Sequence, residues 1–120
     1  MSRKRDDLVR RGDAPARPPE LPQGIVTFLL TDVEGSTPLW ETHTAAMSVA
    51  LARHEELITE VVGSHGGRLI KSRGEGDSTL SVFVRVTDAV AAALALQQAL
   101  ARETWPDDIA LPTRAAVHSG

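Results

Sequence analysis

Cysteine and tyrosine are both absent from the 120 residues, and aromatic side chains make up only 3% of them. Without cysteine there is no disulfide and no thiolate metal site, which fits a cytoplasmic setting. With so few aromatics, the core has to be built from Leu, Val, Ile and Ala. Long apolar runs are missing too. The longest, 25–30 and 89–96, fall far short of a membrane span, and the N-terminus has no apolar signal-peptide core. Nor is there an excess of positive charge. The net charge is −3, with +2 on the first twenty residues and −5 on the rest. An acidic body argues against direct nucleic-acid binding, and it admits a nucleotide only where metal cations offset the charge.

What is present divides in two. Residues 1–23 are charged and carry Pro15, Pro18, Pro19 and Pro22 with few apolar residues, the composition of a disordered lead-in. Residues 24–120 suffice for one domain with a modest core. That domain is organised around Thr31-Asp32-Val33-Glu34-Gly35-Ser36-Thr37. The apolar, β-branched run before it predicts a strand over 25–31, buried on both faces. Pro38 suits the first position of a helix, with Ser36 or Thr37 as N-cap. Asp32 thus ends a strand and Gly35 sits in a turn at a helix N-terminus. A carboxylate there attracts divalent cations, and free backbone N–H groups attract phosphate.

Helical spacing of Met47, Ala50, His54, Leu57, Ile58 and Val61 predicts a helical segment over 38–65, in two pieces, ended by Gly66-Gly67. His54 on that face reads as a packing residue, since no partner has ligand spacing. Strands are expected over 68–73 and 78–84, joined by Gly74-Glu75-Gly76-Asp77 as a tight turn. Thr87 caps a helix over 88–103 whose expected buried stripe is Val90, Ala93, Leu94, Gln97 and Leu100. A fourth strand is expected over 114–118. Packed into one sheet with right-handed crossovers, this order gives an α+β ferredoxin-like sandwich, an antiparallel sheet with helices on one face. The end of the first strand and the turn between the second and third then share an edge. Asp32, Glu34, Glu75 and Asp77 would crowd it. Taken alone, they read equally as solvated turn carboxylates or as oxygen ligands for two Mg2+ ions, held by two aspartates and the Val33 carbonyl.

These residues carry a resemblance. Residues 30–37, with Gly66-Gly67, Lys71, Gly74-Glu75-Gly76-Asp77-Ser78, Phe83 and Val117-His118-Ser119-Gly120, resemble the catalytic domain of class III nucleotide cyclases, most of all the actinobacterial type. The resemblance covers 24–120 and implies formation of 3′,5′-cyclic AMP and pyrophosphate from ATP, or the same chemistry on GTP, in intracellular signalling. It implies that Asp32, the Val33 carbonyl and Asp77 hold two Mg2+ or Mn2+ ions. Glu34, Gly35, Ser36 and Thr37 would meet the phosphates. The base-reading residue lies four positions before the second ligand, which leaves two registers open: Arg73 with Asp77, or Lys71 with Glu75. In the family the domain continues beyond the point matching Gly120, and a head-to-tail dimer partner supplies an asparagine and an arginine to the site. The resemblance therefore implies a homodimer, and a chain of this length that is weakly active or inactive alone. A non-catalytic nucleotide-sensing or dimerisation module is the alternative.

Overall fold

The computed structural model describes residues 25–73 and 77–120, with only the backbone of Lys71 and Arg73. The lead-in and the turn residues 74–76, Glu75 among them, lie outside the described residues. The elements run β1 (Thr27–Val33), α1 (Ser36–Thr42), α2 (Thr44–Ser64), β2 (Arg68–Arg73), β3 (Ser78–Phe83), α3 (Val86–Arg102), a 3-10 turn (Pro106–Asp108) and β4 (Thr113–Ser119). The sheet order is β2-β3-β1-β4, every neighbouring pair antiparallel. This is the ferredoxin-like topology, and β1 is one of its two central strands.

Alternation along β1 decides what the sheet buries. Thr27, Leu29, Thr31 and Val33 point to the helices and are buried. With Leu57, Ile58 and Val62 of α2, Phe83 of β3, and Ala89, Ala92, Leu96 and Leu100 of α3, Leu29 forms the main core. A second cluster lies under the far end of β1, where Val33 packs with Met47, Ala50, Leu51, Ile109 and Leu111. Asp32 is therefore held between two buried neighbours, which fixes the end of the strand. Within the core, Thr31 and Thr79 share a hydroxyl–hydroxyl bond of 2.5 Å across β1 and β3.

Three expectations are corrected. Among the described residues the first strand is covered on one face only: Leu30, on the other, is 44% exposed. An unbroken apolar run does not separate a strand buried on both faces from one with an open apolar face. The first helix begins at Ser36 with Gly35, in the left-handed conformation at φ 65, as N-cap, so neither Ser36 nor Thr37 caps it and Pro38 is its third residue. The third helix begins at Val86, capped by the backbone of Arg85 rather than by Thr87, and turns Ala89, Ala92, Leu96 and Leu100 inward. Val90, Leu94 and Gln97 are exposed instead. The buried stripe is thus two alanines in the first half of the helix and two leucines in the second.

Candidate functional site

The site is built at the end of the sheet where β1 runs into α1 and β3 begins. Asp32 lies directly opposite Ser78 on β3 and opposite Arg114 on β4. The Val33 amide donates to the Asp77 carbonyl at 2.8 Å, which anchors the start of β3 to the end of β1. The topology thus brings Asp32, Val33 and Asp77 to one rim, although Asp32 and Asp77 belong to separate motifs. The register also places Arg73 in the row Arg73–Ser78–Asp32–Arg114, and Lys71 two rows away with Leu80, Leu30 and Ala116. Of the two base-reading candidates, only Arg73 shares a backbone row with Asp32.

Each aspartate already has a partner. Ser78 donates its hydroxyl to Asp32 Oδ1 at 3.0 Å, and the Arg114 guanidinium bonds Asp32 Oδ2. The same guanidinium reaches Glu34, Nε to Oε2, at 3.3 Å. These contacts, Arg114 first and Ser78 second, hold the Asp32 carboxyl below the usual aspartate range against a smaller opposing effect of burial. Asp77 accepts the Ser36 hydroxyl at Oδ2, 2.8 Å away. The Glu34 amide donates to the Pro112 carbonyl at 2.8 Å, so among the phosphate-binding candidates its N–H is already taken. Gly35, Ser36 and Thr37 occupy the N-cap and first turn of α1.

The donor set is oxygen-rich. Among the described residues no cluster of three or more Asp, Glu, His or Cys side chains comes together. The rim offers two aspartates and backbone carbonyls. That suits Mg2+ or Mn2+, hard ions that take few protein ligands and complete their shell with water and phosphate oxygens. Beside it, an open depression of about 800 Å3 is lined by Leu30, Asp32, Ser78, Leu80, Arg114 and Ala116, among others. Its size and its mixed apolar and charged lining suit a nucleotide-sized ligand.

Arg114 is the site residue that sequence reasoning missed. In the sequence it is only the first residue of the expected fourth strand, and no local motif marks it. Its signal is one of topology: β4 pairs antiparallel with β1, so the first residues of β4 face the last residues of β1.

No family model matches the chain. Over 77 residues it is 44% identical to an uncharacterised protein of Mycobacterium tuberculosis, covering 64% of this chain and 27% of that one. Over 111 residues it is 33% identical to an adenylate cyclase of Lachancea kluyveri, covering 91% of this chain and 6% of that one. Among solved structures it is similar to an adenylate cyclase from Trypanosoma brucei at 25% identity, TM-score 0.74, covering 85% of this chain and 59% of that one. The chain thus spans about a quarter of its mycobacterial relative and little more than half of the solved cyclase.

Proposed function

Because the chain belongs to the class III adenylate/guanylate cyclase catalytic domains, over part of that domain's length, we propose that it serves the formation of 3′,5′-cyclic AMP and pyrophosphate from ATP by a two-metal mechanism, with GTP as the alternative substrate. The observation that carries this reading is the meeting of Asp32 and Asp77 at one rim beside the Gly35 turn. Asp32, Asp77 and the Val33 carbonyl would hold Mg2+ or Mn2+, with Glu75 as the alternative second ligand. Such ions supply acidification of the ribose 3′-hydroxyl and neutralisation of the triphosphate.

The remaining work is positional. The reaction forms a bond from the 3′-oxygen to the α-phosphorus and breaks the bond from that phosphorus to the bridging oxygen of the leaving pyrophosphate. The hydroxyl proton passes to solvent. Because attacking and attacked groups belong to one molecule, holding them in line gives much of the acceleration. The Gly35, Ser36 and Thr37 amides are the chain's means of orienting phosphates. Arg73 or Lys71 would read the base. The open sheet face, with Leu30 exposed, is where a head-to-tail homodimer partner would complete the site.

A second reading has its own support. Both aspartates are satisfied by groups of this chain, Asp32 by Arg114 and Ser78 and Asp77 by Ser36. A site so closed on itself suits a nucleotide-sensing or dimerisation module without turnover. Incubation with ATP or GTP and Mn2+, followed by detection of cyclic nucleotide, separates the two. Cyclic product that disappears in Asp32→Ala supports the cyclase. Metal-dependent nucleotide binding without product supports the sensor, and neither binding nor product overturns both.

A further inference from the structure

Arg114 is the group whose placement the proposed chemistry does not use. Its guanidinium faces the acidic rim and binds Asp32 and Glu34 together, while its side chain is 67% exposed. It packs into no core, so fold stability does not explain why a forked cation stands on a metal-ligating carboxylate. A guanidinium on Asp32 Oδ2 takes the same lone pairs that a divalent cation would need.

We propose that Arg114 is a built-in counter-cation that competes with the divalent metal for Asp32, so that metal loading requires its side chain to swing off the carboxylate. This rests on the metal-site reading of Asp32. The sheet register sets the competition up, because Asp32 and Arg114 are direct partners across β1 and β4 and remain neighbours in every side-chain arrangement. Solvent exposure gives the displaced guanidinium free space, and Glu34 Oε2 gives it a second anchor on the same turn. Exposed pairs are weak individually, so the competition tunes metal affinity rather than blocking the site. The consequence is a metal requirement set by the concentration of free divalent ion.

The test is Mn2+ alone, without nucleotide, titrated into the chain and followed by the electron paramagnetic resonance of the free ion. Arg114→Met should bind about fivefold more tightly than the wild type, the upper range for an exposed pair. Arg114→Lys keeps the charge but loses the fork, and should fall between the two. In parallel, saturating Mg2+ should shift the Arg114 Nε–H signal in 15N-resolved spectra. The proposal is overturned if Arg114→Met binds no more tightly than wild type. It is equally overturned if Arg114→Lys equals wild type, since charge at a distance would then account for the effect, or if the Arg114 signal does not move. Asp32→Asn separates the two layers. Loss of Mn2+ binding in that variant, with Arg114→Met unchanged from wild type, removes the competition and leaves the metal site. Unaltered binding in Asp32→Asn removes the metal reading of Asp32 and the competition with it.

Discussion

The Ser36 hydroxyl donates to the Asp77 carboxylate at 2.8 Å, joining the first residue of α1 to the residue before β3 across 41 positions of sequence. A serine at a helix start ordinarily caps its own helix. Here Gly35 occupies the cap position and leaves the Ser36 side chain free to reach across. Ser36→Ala should therefore cost one part-buried hydrogen bond and no cap, about 1 kcal/mol in urea unfolding. A loss above ~2.5 kcal/mol would show that the hydroxyl supports more of the fold than this bond.

Asp32 stands on the open face, half exposed, while Thr31 and Val33 on either side of it are buried. The strand is held by its neighbours, so Asp32→Ala should leave the unfolding midpoint nearly unchanged. Metal-dependent ATP binding should fall at least ~100-fold, because one of two carboxylates is gone. Isothermal titration with Mn2+ present reads this directly, and an unchanged binding isotherm would refute the role given to Asp32.

The glycines at the end of α2 and just beyond it make a paired prediction. A Cβ on Gly67 would clash with the Phe83 ring, which is fully buried in the main core and cannot yield. Gly67→Ala should destabilise by about 1–3 kcal/mol through overpacking. Gly63, inside α2, would meet nothing within 4 Å, so Gly63→Ala should stabilise by roughly 0.5–1 kcal/mol on helix propensity. Thermal melts of both variants check the opposite signs, and a shared sign would contradict the packing described for Phe83.

How much of this the letters contained depends on the range of the signal. Periodicity and turn residues placed all four strands and the long helices within about two residues, and the element order then gave the sheet order and the shared rim of Asp32 and Asp77. What escaped were features set by partners distant in sequence. Leu30 looks like core because its neighbours are apolar, yet no helix among the described residues covers its face. Val90 and Leu94 outweigh alanine in hydrophobicity, yet α3 turns Ala89 and Ala92 inward with Leu96 and Leu100 and leaves those two exposed. Arg114 acquires meaning only from the register of β4 on β1. Trp105, in the loop after α3, packs against both core clusters and lies beside His54, ring centroids 6.3 Å apart.

His54 carries the pH prediction. It is completely buried, and its Nε2 lies 3.0 Å from Thr113 Oγ1. The Thr113 hydroxyl donates its proton to the Leu111 carbonyl at 2.9 Å. The oxygen must then accept from His54, which fixes the Nε2–H tautomer and leaves Nδ1 bare, without a partner among the described residues. Protonation would put an N–H into the core with no acceptor. Burial accordingly pushes the imidazole below its ordinary pKa of 6.5, opposed more weakly by the charges of Asp77 and Glu55. The unfolded chain then binds the proton more readily than the folded one. This contribution to stability is complete above pH 6.5 and is lost as pH falls below that toward the folded value, by at most about 1.4 kcal/mol per unit. Urea unfolding at pH 8 and pH 5.5 should show the wild type losing more stability than His54→Gln, which keeps a hydrogen-bonding group near Thr113 but does not titrate. Equal losses in the two proteins would mean that acid acts elsewhere and that His54 accepts its proton without penalty.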